Sequence, residues 1–441
     1  MVKKNIFSLF ISVCWLFGFF SQSWAAIKIQ EVQATNGLKA WFVEDHSIPV
    51  IALQISFDAG YAYAPADKAG LVNMLAHMMD EGAGPYTSQQ FIEKLQKRAI
   101  HLNFSCDEDT FKISLKTTSE HLQEALKLLK YTLTQAHFDP REFEKVRASF
   151  LTNLKIQEKT PNYLATKTFN ELVMGSHPYG QLKSGTSETL KALTPQDLKD
   201  FVKAGFARNT LTVGACGDIT SEQLKSLLDS LFQDLPPQSS LPALPSLEAS
   251  LSGQTKIVQA NFPQSHVIFA QKGLTPRDSD FIKLSLLNQI LGGSTDSTLF
   301  SEVRIKRGNA YYISTALNNS DQASFFAGIF GGDNAHVLES VKLIQDIWQQ
   351  TKEKGVTASQ LADAKSYILG SYAVNLDSSM RIASLVHYYQ RWGYPIDYPE
   401  KRVKLIQSIT LDQLNTFAQK FLVPSHLTFV VVGNPKADIQ K

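Results

Sequence analysis

Residues 194–217 (TPQDLKDFVKAGFARNTLTVGACG) and residues 410–433 (TLDQLNTFAQKFLVPSHLTFVVVG) align without a gap, and this repetition restricts the fold more than any other feature of the chain. Thr194 and Thr410, Leu198 and Leu414, Phe201 and Phe417, Leu211 and Leu427, Thr212 and Thr428, and Gly217 and Gly433 all keep one constant offset. Each copy reads as a capped amphipathic helix, a short turn and a buried, β-branched strand ending at glycine. A fainter echo pairs Glu142–Leu151 with Gln360–Leu369 at nearly the same offset. Solenoid repeats run to roughly 20–50 residues, so a period as long as that from Thr194 to Thr410 marks a domain copied once. Between the copies, Leu235–Ser246 holds four prolines among serines and reads as an extended, stiff linker. The expected division is a first half over residues 26–235, a linker over 236–253 and a second half over 254–441.

Strands cluster within the first half. Leu38–Val43 and Val50–Ala59 alternate apolar and polar, and helical spacing follows at Ala69–Met79 and Ser88–Arg98. Strands are expected near Leu102–Cys106 and Thr110–Thr117, then helices over Ser119–Gln135 and from Pro140 to about Gln157. Asp139 followed by Pro140 supplies a cap residue and a proline at the first helical position. Consecutive strands with helices gathered between them predict an α+β fold. It comprises two homologous, duplicated domains, each a mostly antiparallel sheet with helices packed on one face.

The beginning of the chain reads as a secretory leader. Lys3 and Lys4 precede the apolar run Ile6–Phe20, and Ser23-Trp24-Ala25 offers a small-x-small cleavage site. The run is about 15 residues, short of the ~20 that a membrane span needs. Removal of residues 1–25 leaves 41 basic against 41 acidic residues, so nothing in the charge balance argues for nucleic acid. It also leaves two cysteines, Cys106 and Cys216. An oxidising compartment permits a disulfide between them, and two buried thiols fit the sequence equally well. No C-x-x-C or Cys/His cluster accompanies either.

Segment Gly70–Gly82 (GLVNMLAHMMDEG) has the frame of an inverted zinc-binding helix, His-x-x-Glu-His, with most of its chemistry removed. Asn73, Ala76 and His77 occupy the three working positions, so one imidazole remains. Zinc sites take imidazole, thiolate or carboxylate, and a catalytic site needs three protein ligands plus water. Ala76 removes the carboxylate that would take a proton from water, a contribution of roughly 10²–10⁴ in rate. Glu81 lies four residues from His77 on the same helix face, and Asp80 beside it, as the available substitutes. His77 on its own reads as a structural histidine. Gly331-Gly332 reads as a turn and is too weak for a phosphate loop.

With these residues in view, the whole chain after its leader resembles the pitrilysin/insulinase inverzincin family. It is most similar to the short members related to mitochondrial processing peptidase. The resemblance rests on Gly70–Gly82, the long helix before Thr160-Pro161, the duplication, and Arg304–Tyr311 (RIKRGNAY). It implies a clamshell half built from the two domains. It also implies a third zinc ligand, a glutamate in a later helix, at the place where this chain has Asn153. An Arg and a Tyr seven residues apart complete the family's active site from the opposite half of the clamshell, and Arg304 and Tyr311 keep that spacing. Guanidinium and phenol groups donate hydrogen bonds to a scissile carbonyl as it becomes an oxyanion. The family also binds substrate as a strand added to a sheet edge, and the matching segment is Leu102-Asn103-Phe104-Ser105-Cys106.

The leader implies an exported, periplasmic chain, cleaved after Ala25, and two amides with one imidazole at the ligand positions imply that it binds no metal of its own. It would contribute Arg304 and Tyr311 in trans to a homologous subunit that bears the zinc motif and the zinc. That heterodimeric metalloendopeptidase would act on unfolded peptides. Two alternatives remain: a non-catalytic peptide-binding or structural scaffold of the same fold, and a stand-alone zinc peptidase with an altered site.

Overall fold

The computed structural model describes residues 27–374 and 376–436. The leader over residues 1–25 lies outside the described residues. The first half runs β1 (Gln30–Gln33), β2 (Lys39–Glu44), β3 (Val50–Phe57), α1 (Leu71–Met78), α2 (Ser88–Lys97), β4 (His101–Cys106), β5 (Phe111–Thr118) and α3 (Leu122–Gln135). It continues through α4 (Pro140–Gln157), α5 (Pro161–Val173), α6 (Ser187–Ala192), α7 (Pro195–Gly205), β6 (Leu211–Gly217) and α8 (Ser221–Phe232). The second half begins with β7 (Thr255–Gln259), β8 (Gln264–Lys272), α9 (Phe281–Leu291), β9 (Ala310–Asn319) and β10 (Ser324–Asp333). It closes with α10 (Val337–Lys354), α11 (Ala358–Val374), α12 (Ser379–Arg391), α13 (Tyr398–Ser408), α14 (Leu411–Phe421) and β11 (Thr428–Gly433).

The repeated segments form the same unit twice, α7–β6 and α14–β11. Both helices start with a capping box, Thr194 with Asp197 and Thr410 with Gln413, which satisfies amide groups that a helix start leaves unpaired. The Asp139 carboxylate likewise accepts from the Arg141 amide at 2.8 Å ahead of Pro140. Both strands end at a glycine with positive φ, 136° at Gly217 and 159° at Gly433. A Cβ on Gly217 would lie 2.1 Å from the Val50 carbonyl, and one on Gly433 2.3 Å from Ser265 Oγ. The duplicated glycine is thus required where the central strand ends against its neighbour.

The strand orders are β1-β2-β6-β3-β5-β4 and β7-β11-β8-β10-β9. All neighbours are antiparallel except β2–β6 and β7–β11, so both sheets are mostly antiparallel as expected, with one parallel pair each. Each half packs its own helices on one face of its sheet. Met74, Leu75, Leu129 and Phe143 meet Phe42, Leu53 and Ile113 in the first core. Ile344, Trp348 and Leu414 meet Phe269, Phe326 and Phe429 in the second.

The opposite faces are covered by exchange, a feature with no local sequence signal. α12, from the second half, lays Ile382, Ala383, Val386 and Tyr389 on Trp41, Val43, Ala52 and Cys216 of the first sheet. α5, from the first half, lays Ala165, Phe169 and Val173 on Ala270, Phe325, Val430 and Val432 of the second. Burying a large apolar side chain stabilises by about 1.5–3 kcal/mol, so each exchanged helix contributes several kcal/mol to the union of the halves. Gly214, in the middle of β6, makes the approach possible: a Cβ there would fall 2.3 Å from the Ala383 carbonyl.

The β9–β10 hairpin closes the seam. Arg391, at the end of α12, holds Asp321 through two hydrogen bonds of 3.0 and 2.7 Å, and Asp58 lies 3.5 Å from the same guanidinium. The Asp321 amide donates to Asp109 at 2.8 Å, and the Tyr179 hydroxyl donates to the other oxygen of Asp109. Burial pushes the Asp58 and Asp109 carboxyls up to about 6. Next to this cluster, Ser56 Oγ and His387 Nε2 are hydrogen-bonded at 2.8 Å, and burial pushes the imidazole down to about 3.

Candidate functional site

α1 begins at Gly70, whose φ of 94° suits glycine alone, and it buries Leu71, Val72, Met74, Leu75, Ala76 and Met78. Asn73 is half-buried and His77 exposed on the remaining face. The His77 Nδ1–H donates to the Asn73 carbonyl at 2.9 Å, and its ring meets Phe150 of α4 edge-on with centroids 4.9 Å apart. Ala76 is 5% exposed, so the position of the missing general base is a methyl group in the core. Asn153 stands exposed on α4, which packs against α1.

The substitutes read from the sequence, Asp80 and Glu81, lie past the end of α1 and not on the face of His77. Glu81 accepts a hydrogen bond from Ser88 Oγ at 2.6 Å, and burial raises the Asp80 carboxyl above its ordinary range. Two amides and one imidazole do not fit a divalent zinc ion, because no negative charge offsets the loss of its water shell. Among the described residues, no group of three or more His, Cys, Asp and Glu side chains is placed to hold a metal.

β4 lies at the free edge of the first sheet. Its register with β5 pairs Asn103 with Ser114, Phe104 with Ile113, Ser105 with Lys112 and Cys106 with Phe111. Antiparallel alternation turns the peptide groups of Leu102, Phe104 and Cys106 toward the open side, where Lys183 Nζ caps the Cys106 carbonyl at 2.7 Å. Phe104 and Cys106 point their side chains into the core, while Asn103 is exposed and Ser105 half-buried. Cys106 and Cys216 are both buried free thiols, raised to about 11 and about 12 by burial.

Arg304 and Tyr311 stand on the other sheet, at its β9 edge. Arg304 lies in the π-helical turn Phe300–Ile305, where the Lys306 amide donates to the Ser301 carbonyl at 2.9 Å. Such turns are frequent at functional sites. The Arg304 guanidinium sits 4.8 Å over the Phe300 ring and makes no ion pair with another described residue. The nearby Glu302 is already held by Lys306 at 2.6 Å and Arg307 at 3.0 Å, which keeps its carboxyl below the usual range. Tyr311 is 57% exposed at the start of β9. Within one chain, then, the degenerate helix and the Arg–Tyr segment belong to separate sheets.

Gly331 and Gly332 do not form the turn read from their sequence. They lie in β10, where Tyr312 and the Asn309 carbonyl approach too closely for any side chain. Sequence reasoning also missed His266 of β8, which hydrogen-bonds the Tyr312 hydroxyl through Nδ1; an isolated histidine in an apolar strand carries no spacing signal.

A duplicated, sheet-and-helix clamshell half whose inverted zinc frame keeps a single imidazole defines a peptidase-like fold, with no group of three or more metal-ligating side chains among the described residues. Residues 40–185 match the insulinase family, peptidase family M16, and residues 192–368 match the peptidase M16 inactive domain. The chain belongs to the insulinase (M16) family. It is 26% identical over 438 residues to a protein of Helicobacter pylori named non-peptidase homolog YmxG, covering 99% of this chain and 100% of that one. It is 21% identical over 398 residues to the β subunit of the mitochondrial processing peptidase of Saccharomyces cerevisiae, covering 86% of each. In fold it matches the crystal structure of a peptidase M16 inactive domain from Pseudomonas fluorescens, with a TM-score of 0.86 and 23% identity over 93% of this chain and 98% of that one. No helix among the described residues is long and apolar enough to cross a membrane.

Proposed function

We propose that this chain is the non-zinc subunit of an exported, periplasmic two-chain metalloendopeptidase acting on unfolded peptides. The observation that carries the reading is the contrast between the two edges. α1 holds one imidazole and no carboxylate ligand, while Arg304 and Tyr311 stand exposed and uncommitted on a π-helical turn and the strand after it. A guanidinium whose neighbouring glutamate is already paired is available for an outside acceptor. Both groups donate hydrogen bonds to a carbonyl that gains negative charge, and donors act from any chain that places them correctly. Zinc and the general base would come from a homologous partner with an intact His-x-x-Glu-His helix. The inactive-domain match and the non-peptidase name of the Helicobacter relative support this division of labour.

The test is to mix the full chain with a homologous chain bearing the intact motif and follow cleavage of an unfolded peptide. Neither chain alone is expected to cut it. Arg304→Ala and Tyr311→Phe should each lower kcat by about 10²–10³, the usual effect of removing one oxyanion donor. Full activity of either variant in the mixture would overturn the proposal.

A second reading, a non-catalytic peptide-binding scaffold, draws on the open β4 edge, where Leu102 and Phe104 leave peptide groups free for an added strand. It requires Arg304 and Tyr311 to be dispensable, so the same mixture distinguishes the two.

A further inference from the structure

The register of β9 against β10 breaks at the residue on which the proposed function depends. Tyr312 pairs with Gly331 and Ala310 pairs with Gly332, so Tyr311 is an extra residue with no partner across the ladder. A bulge of this kind bends its strand and re-aims side chains. Here it breaks the inside–outside alternation: Ala310 and Ile313 are buried, while Tyr311 and Tyr312 both face outward, 57% and 39% exposed.

The two tyrosines differ in what holds them. Tyr312 lies across β10 in the space left by Gly331, where an added Cβ would fall 2.4 Å from its ring. Its hydroxyl reaches Nδ1 of His266 on β8, the strand beyond β10. A Cβ on Gly332 would lie 2.2 Å from the Asn309 carbonyl, so the second glycine admits the turn that enters β9. His266 is 5% exposed, and burial keeps its imidazole neutral by lowering its proton affinity. Its Nε2 is buried without a partner among the described residues. The tautomer that leaves a lone pair there, rather than an orphaned N–H, carries the proton on Nδ1 and donates it to the Tyr312 oxygen. Tyr311 has no such anchor among the described residues.

We propose that His266 and Tyr312 are positioning residues: their hydrogen bond, seated over the Gly331-Gly332 notch, locks the bulge and fixes the direction in which Tyr311 presents its phenol. This rests on the reading in which Tyr311 touches the substrate carbonyl. A displacement of about 1 Å in such a donor costs up to roughly a hundredfold in rate. Tyr312→Phe removes the hydrogen bond and keeps the ring. His266→Leu removes the donor, and His266→Asn returns an amide N–H near the place of Nδ1.

The experiment labels the full chain with 3-fluorotyrosine, assigns the Tyr311 fluorine resonance with Tyr311→Phe, and records it in the three other variants. It then measures kcat and KM of each in the two-chain mixture. The Tyr311 resonance should move in Tyr312→Phe and His266→Leu and return toward its original position in His266→Asn. In the mixture, Tyr312→Phe should lower kcat about ten- to a hundredfold. KM should be unchanged, and on a Tyr311→Phe background there should be no further loss. An unmoved resonance, or an equal loss on both backgrounds, overturns the clamp. If the resonance moves as expected but Tyr311→Phe leaves the mixed enzyme fully active, the proposed function fails and the clamp stands.

Discussion

Replacing Arg391 by Met should loosen the seam between the halves by an amount that depends on pH in a defined direction. Arg391 is 12% exposed and makes paired hydrogen bonds to Asp321, itself 25% exposed, with Asp58 3.5 Å away. Breaking a fully buried pair from one side costs about 3–5 kcal/mol, and hydrogen bonds to charged groups contribute about 1.5–3 kcal/mol. Because Asp321 and Asp58 keep contact with water, the loss at pH 7.5 should be about 2–3 kcal/mol. Much of that loss is repulsion among Asp58, Asp109 and Asp321 once their shared cation is gone. Asp58 and Asp109 have folded-state values raised to about 6, above the ordinary carboxyl value. Their folded forms therefore take up protons as pH falls through 6, and the repulsion fades. At pH 5 the variant should trail the parent by about half as much. Urea unfolding of both full chains at pH 7.5 and pH 5 gives the comparison. A deficit under about 0.5 kcal/mol at pH 7.5, within ordinary surface-substitution scatter, or one equal at both pH values, would refute the reasoning.

Gly214→Ala should push α12 off β6 and cost about 1–3 kcal/mol, read from urea midpoints and from faster amide exchange in α12. His387 titrates at about 3 when folded against about 6.5 when unfolded, so the unfolded chain binds the extra proton between those values and stability falls with acid. His387→Gln should flatten that decline by up to about 1.4 kcal/mol per pH unit between pH 6 and 4. Asn73→His with Asn153→Glu should create a three-ligand site that retains about one zinc ion after dialysis, without cleavage, because Ala76 still supplies no base; a zinc ion retained by the unaltered chain would contradict the site's chemistry. Cys106 and Cys216 should both resist iodoacetamide in the native chain at pH 8 and both react in urea without reductant, as counted by mass spectrometry.

What was legible in the sequence was local chemistry. Thr194 and Thr410 announce capped helices, Asp139-Pro140 announces a helix, and the apolar stretch from Val50 announces β3, although that strand is buried along nearly its whole length where alternation predicted one wet face. The constant offset between matched positions revealed two copies because packing demands act on the same positions in both. The exchange of α5 and α12 was not legible, since an amphipathic helix specifies an apolar face but not the sheet that receives it. Gly331-Gly332-Asp333-Asn334 has turn composition, yet its glycines answer to Tyr312 and Asn309, well upstream in sequence. His266 escaped for the same reason: its partner lies across an intervening strand. At the degenerate helix the residue types were decisive, whereas the engagement of Glu81 by Ser88 arises only from the turn that follows α1.

The reciprocal loan of α5 and α12 also sets the order in which this polypeptide can mature. While a ribosome has released the chain only as far as Leu235, the outer side of β2, β3 and β6 is bare, and α5 has nothing to lie on. Trp41, Val43 and Ala52 stay wet until the chain has grown past Arg391. Every nascent copy therefore passes through a sticky intermediate that lasts for about a third of its synthesis, and a product truncated before Ser379 has no route out of it.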